Sequence, residues 1–203
     1  MNYSLNRNDF IAKKLGTLKG DKLLDLGCRD MILSKYLIGK FNYIGVDFFS
    51  NSKKKNFINY NLEQGLPLIK NVNIITAVDV LEHLENIHFL FKELFLLSNN
   101  KIVVALPNCG YYKFRFNFFF SGELGSKYQF PQKKIGDRHR WITNYDSINR
   151  FVKANCPNTW QIGQYDFIAQ RKNFHLFYFL EKLLSKFFPY LFVSEIIFIF
   201  EKK

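Results

Sequence analysis

Cysteine is scarce in this 203-residue chain, which has Cys28, Cys109 and Cys156 and no others. The count is odd and no Cys-x-x-Cys pair occurs. That argues against a disulfide framework or a zinc site, and for a reducing compartment. Long apolar runs are missing too. The nearest approach, residues 174–200, is interrupted by Glu181, Lys182, Lys186, Pro189 and Glu195, so no membrane-spanning helix is expected. Residues 1–14 lack the continuous apolar core of a secretory signal, and a cytoplasmic location is expected. A Gly-x-Gly-x-x-Gly loop is absent, and with it the usual seat for a dinucleotide pyrophosphate. No Gly-x-x-x-x-Gly-Lys-Ser/Thr loop supports nucleoside triphosphate hydrolysis. There is no internal repeat and no long low-complexity tract.

What is present is an ordinary globular balance, 48% hydrophobic and 23% charged, with enough apolar mass for one core over residues 1–203. The net charge is +12, and 24 residues are Phe. Such a charge attracts polyanions, anionic membrane or phosphorylated substrates. A Lys-rich bias of AT-rich coding gives the same count, so both readings stay open.

Residues 1–20 read as a lead-in helix, with Phe10, Ile11, Leu15 and Leu18 on one side and Gly20 near its end. Lys22–Leu26 reads as a buried strand stopping at Gly27. Helical spacing over 30–38 precedes a stop at Gly39. Strands follow at 43–46, 57–60, 74–80 and 102–106, with a helix over 84–97. The lysine run after Asn51 reads as a solvated loop. Strands apolar throughout, alternating with helices, predict parallel strands covered on both faces. Ligands then sit beyond the carboxyl ends of the strands.

At those ends stand Asp25-Leu-Gly-Cys-Arg-Asp30 and, twenty residues past Gly27, Asp47. A glycine after a strand admits a ligand close to the backbone. A carboxylate after the next strand can accept both ribose hydroxyl hydrogens. The acidic strand tip at Asp25 repels a pyrophosphate and suits a ligand bearing ammonium and sulfonium groups.

Leu24-Asp-Leu-Gly-Cys28, Ile44-Gly-Val-Asp47, Asn61-Leu-Glu-Gln-Gly-Leu-Pro67 and Val78-Asp-Val-Leu-Glu-His-Leu84 together resemble the successive motifs of class I S-adenosylmethionine-dependent methyltransferases. Past the fifth strand, Leu106-Pro-Asn108 and the stretch 137–143 are similar, more loosely, to MetW-like bacterial methyltransferases. The resemblance implies a Rossmann-like three-layer α/β/α sandwich. Its seven-stranded sheet would be mostly parallel with an antiparallel last strand, completed by 162–169 and 194–201. It implies S-adenosyl-L-methionine as cofactor, with Asp25, Gly27, Cys28 and Arg29 around its methionine part. Asp47 and Phe48 would hold the ribose end, Asn61 and Leu62 would flank the adenine, and Asp79 and Val80 would close the pocket. Arg29 and Met31 stand where the family carries further glycines. A left-handed Arg29 would cost roughly 1–2 kcal/mol, so another loop path, weakened binding, or a partner-binding role beside another enzyme remains open.

Residues 107–143 read as an acceptor-side insertion, and 173–203 as a C-terminal helix and last strand. His83, Asn108, Tyr111, Tyr112, Arg115 and Arg140 are the expected acceptor contacts. His139 is the candidate base, since imidazole takes a proton near neutral pH. The basic residues suggest an anionic small-molecule or lipid- or sugar-linked acceptor, methylated on oxygen or nitrogen. Nucleic acid is not the expected partner: the Asn/Asp-Pro-Pro-aromatic stretch of amino-methylating enzymes is lacking. The aromatic stretch 114–120 reads as packing of an inserted helix, with an apolar pocket or peripheral contact with the inner membrane surface as alternatives. The helix over 173–188 has the same two readings, sheet cover or membrane contact. Glu82, His83, Glu85 and His88 cluster in sequence, but their spacing fits no standard ligand set, and no metal is expected.

Overall fold

The computed structural model describes residues 6–16, 21–37, 41–48, 54–130, 138–168 and 175–203. Leu18, Gly20, Ile38, Gly39, Asn51, Asp137, Ala169 and Asn173, used in the sequence reading, lie outside them.

The apolar runs become strands β1 (Lys22–Leu26), β2 (Asn42–Asp47), β3 (Phe57–Asn59), β4 (Val72–Val78), β5 (Ser98–Pro107), β6 (Trp160–Phe167) and β7 (Glu195–Lys202). They form one sheet in the order β3-β2-β1-β4-β5-β7-β6. The pairings from β3 across to β5 are parallel. β7 alone reverses, running antiparallel to both β5 and β6. The expected mostly parallel sheet with an antiparallel last strand is therefore the one observed.

Helices cover both faces: α1 (Arg7–Leu15), α2 (Ile87–Leu97), α3 (Tyr112–Ser121), α4 (Tyr145–Asn155), α5 (His175–Ser185) and α6 (Pro189–Phe192). Side chains alternate across each strand. Leu24 and Leu26 join a core with Leu90, Phe91 and Leu94 of α2 and Ile148 and Val152 of α4. Leu23 turns the other way, into a second core with Ile11, Ala12 and Leu15 of α1 and Met31, Leu33 and Leu37.

Three elements differ from the sequence reading. Among the described residues between β1 and β2 there is no α-helix, and a 3₁₀ turn, Leu33–Tyr36, stands in its place. Arg29 and Met31 adopt φ of 44° and 57°, which breaks α geometry. The Ser34 N–H and hydroxyl both reach the Met31 carbonyl, the i to i+3 pattern of a tighter helix. α2 starts at Ile87, not Leu84, because a 3₁₀ turn over Leu81–His83 comes first and Asn86 caps the helix. α5 ends at Ser185, and Pro189 opens α6 at its first position, where its missing N–H costs nothing.

The inserted helix is corrected more strongly. α3 buries none of its residues. Phe116, Phe118, Phe119 and Phe120 are all more than half exposed, so this helix does not pack its aromatic residues into the core.

Candidate active site

Strand order reverses direction between β1 and β4, the switch point where open α/β sheets form a crevice. A cavity of about 1070 Å³ opens there. Its wall draws Asp25, Gly27, Cys28 and Arg29 from the end of β1, Asp47 and Phe48 from β2, and Asn61 and Leu62 from the turn after β3. Val78 comes from the end of β4, and Asp79 and Val80 from the residues just after it. Every residue assigned to the cofactor from sequence thus lines one cavity.

The β1 loop is held open despite its missing glycines. Gly27 has φ of 64°, and a Cβ there would stand 2.5 Å from the Val80 Cγ2. Arg29 does take the left-handed path. Its N–H donates to the Asp47 Oδ2 at 2.8 Å, and Cys28 N–H reaches the Val46 carbonyl at 3.1 Å. These bonds offset the backbone cost, and buried Met31 adds apolar contact. The Arg29 side chain is exposed, so it does not plug the hollow.

Asp25 lies under this loop. Its Oδ1 accepts from the Thr76 hydroxyl at 2.7 Å and its Oδ2 from the Tyr43 hydroxyl. Burial raises its carboxyl to about 6; the two hydroxyls oppose the shift and Asp47 adds to it. Asn61 caps the turn after β3, its side chain accepting from Glu63 N–H at 3.1 Å.

Sequence reasoning missed Arg7. It reaches the cavity wall from α1 and joins Asp79 at 2.6 Å and Glu195 at 2.9 Å. Burial and then Asp79 raise the Glu195 carboxyl, Arg7 opposes them, and the group is pushed up to about 7. Asp79, too, is left-handed, with φ of 54°. A lone arginine 188 residues from its partner carries no sequence signal.

The acceptor assignments divide. His83, His139 and Arg140 line the cavity beside Lys127 and Arg138. Asn108, Tyr111, Tyr112 and Arg115 do not. The Asn108 amide donates to the Tyr190 and Val193 carbonyls and accepts from Gly110 and Tyr145 N–H. Four bonds consume it, and it is fully buried. Tyr111 and Tyr112 both donate to Glu181 of α5, and Arg115 donates to the Gly110 carbonyl. These bonds brace the insertion, and none of the four residues lines the cavity. Arg140, although in the wall, bridges Glu63 at 3.3 Å and Glu85 at 2.8 Å.

Backbone bonds stitch the segment carrying His139 to the turn after β4. Arg140 and Trp141 N–H both reach the Glu82 carbonyl, and the Trp141 indole reaches the Leu84 carbonyl at 2.7 Å. Glu82 is buried, and burial followed by the nearby Asp79 pushes its carboxyl well above the usual range.

A family model for the methyltransferase domain matches residues 4–154. This chain belongs to that family. No curated protein matches it by sequence. Among solved structures, the chain is similar to magnesium protoporphyrin IX methyltransferase from Synechocystis PCC 6803 with bound S-adenosylhomocysteine. The TM-score is 0.60 at 15% identity, covering 98% of this chain and 83% of that one. A S-adenosylmethionine-dependent methyltransferase from Archaeoglobus fulgidus gives 0.57 at 14%, covering 97% and 95%. The small RNA methyltransferase HEN1 gives 0.62 at 15%, covering 97% of this chain and 25% of that one. At such identities the likeness concerns the fold.

The cofactor of this methyltransferase is S-adenosylmethionine, and the site's chemistry fits it. The Gly27 cradle is one a Cβ would fill. Two carboxylates suit a cation at one end and ribose hydroxyls at the other. The volume sits at the upper end for a small-molecule site.

Proposed function

We propose that this methyltransferase acts on an anionic acceptor, small or carried on a lipid or sugar, at an oxygen or nitrogen atom. The supporting observation is one cavity whose lining holds the strand-end carboxylates together with Lys127 and Arg138. Asp47 takes the ribose hydroxyls, and Asn61 and Leu62 flank the adenine. Gly27 admits the methionine part, and Asp25 attracts its ammonium. S-adenosylmethionine supplies an electrophilic methyl group. The chain's own residues align the acceptor with it and exclude water. An acceptor already deprotonated at the atom that takes the methyl needs no side chain to remove a proton.

The Asp25 assignment carries a pH dependence. Its carboxyl titrates at about 6 in the free protein. Above that value it is ionised and attracts the ammonium; below it the attraction is lost. Affinity for S-adenosylhomocysteine should therefore rise roughly tenfold from pH 5 to pH 7. A flat calorimetric profile would take Asp25 out of cofactor contact.

The exposed aromatic residues of α3 favour a lipid-linked acceptor. Phe179, Leu180 and Leu183 of α5 are also exposed, and Lys113 and Tyr112 join α3 to α5 through Glu181. Aromatic side chains beside lysines suit the surface of an anionic bilayer. Radiolabelled methyl transfer into cell extract, followed by organic extraction, tests the acceptor class. Label in the lipid phase and sedimentation with vesicles containing phosphatidylglycerol are expected. Label recovered in RNA would overturn the reading.

A further inference from the structure

We infer that Glu82, His83 and His139 bind one divalent transition-series cation at the cavity wall that the two histidines line. A carboxylate oxygen and one nitrogen from each imidazole all lie within 4.8 Å of one another. Ligand atoms sharing a tetrahedral metal at about 2.1 Å stand roughly 3.4 Å apart. Side-chain movement of up to about 1.4 Å along the longest edge therefore closes the triad.

Three independent observations point to a ligand. First, Glu82 is 1% exposed and neither of its carboxylate oxygens has a hydrogen-bond partner. A buried carboxyl in that state is costly unless something pairs with it. The nearest cation candidate, the His83 Nε2, stands 3.8 Å from the Glu82 Oε1, too far for a hydrogen bond.

Second, the imidazoles are already set as ligands. His83 Nδ1 lies 2.9 Å from the Arg138 carbonyl. A carbonyl only accepts, so Nδ1 carries the hydrogen and Nε2 presents its lone pair toward Glu82. His139 Nδ1 is held 2.8 Å from the Tyr128 hydroxyl, and with a metal at Nε2 it would donate its hydrogen to that oxygen. An outer partner fixing one ring nitrogen is the usual companion of a metal-bound imidazole.

Third, the ligands sit on a braced frame. The backbone bonds from Arg140 and Trp141 to Glu82, with Arg140 Nε to the His83 carbonyl, hold two distant segments together. The other residues of the sequence cluster go elsewhere. Glu85 pairs with Arg140, and His88 meets Asn155. Sequence spacing hid the site because its third ligand comes from 56 residues downstream of His83.

Two imidazoles and one carboxylate favour zinc, cobalt or manganese over magnesium or calcium. Three protein ligands leave coordination positions open. His83 and His139 line the cavity, so those positions face the space assigned to the acceptor. An acceptor oxygen or carboxylate would bind there. This role rests on the methyl-transfer reading; the binding of the cation does not.

Cobalt(II) titration of chelator-treated protein tests the site. One equivalent should give visible ligand-field absorption, displaced by zinc(II). Glu82→Gln should weaken binding at least tenfold, and Tyr128→Phe should weaken it by a smaller factor. No absorption change at millimolar cobalt in folded wild-type protein would overturn the inference and leave Glu82 a neutral acid. Calorimetry of the same metal-free sample with S-adenosylhomocysteine separates the two readings. Cobalt binding without cofactor heat would sink the cofactor assignment alone; cofactor heat without cobalt binding would sink the metal site alone.

Discussion

Asp47→Ala should weaken S-adenosylhomocysteine binding by at least a hundredfold in calorimetry. Asp47 is 6% exposed at the carboxyl end of β2. As the proposed ribose acceptor it would make two charge-assisted bonds, each contributing roughly 1.5–3 kcal/mol. Their sum, at least about 3 kcal/mol, converts to two decades or more of affinity. The same carboxylate holds the Arg29 N–H, so alanine also releases the loop that shapes the cavity. Asp47→Asn keeps an oxygen for that N–H and should fall between the two. Equal affinity in all three proteins would remove Asp47 from the ribose.

Gly27→Ala should be the most damaging single methyl group that can be added to the loop. The new Cβ would meet the Val80 Cγ2 at 2.5 Å, in a backbone with φ of 64°. Left-handed strain of about 1–2 kcal/mol combines with overpacking of about 1–3 kcal/mol. Thermal unfolding should drop by roughly 10 °C for a chain of this size, and cofactor binding should disappear. Val80→Ala in the same chain removes the clash but not the strain. The double variant should therefore recover part of the stability and remain below wild type. A Gly27→Ala protein with unchanged melting would mean that the loop relaxes freely.

The residues we propose for the cofactor could be grouped from sequence because their signals are local. A strand tip, a glycine and a carboxylate on the neighbouring strand appear within a few residues of each other, and parallel pairing of β1 with β2 brings them together. The fold followed from the same runs. The acceptor side was read less well. Asn108 has the chemistry of a substrate contact, yet its amide ties β5, α4 and the segment after α5 together. Nothing in a sequence distinguishes an amide that binds backbone from one that binds a ligand. Arg7 and the meeting of His139 with Glu82 depend on contacts between distant segments, and periodicity is silent about those. The helix expected after β1 failed for a different reason: its apolar spacing was real, but two left-handed residues redirected the chain so that Met31, Leu33 and Leu37 reach the core without it.

The position of β7 has a consequence for assembly. β6 precedes β7 in the chain, yet it lies at the sheet's edge and pairs with β7 alone. Until β7 slots between β5 and β6, β6 has no neighbour to satisfy its backbone. The same insertion delivers Glu195 to Arg7. Deleting residues 195–202 would therefore cost two strands rather than one and unlatch the first helix from the pocket. Pairing of β6 therefore depends on a contact made by the last strand, and without it an unpaired edge of the kind that promotes aggregation is left exposed.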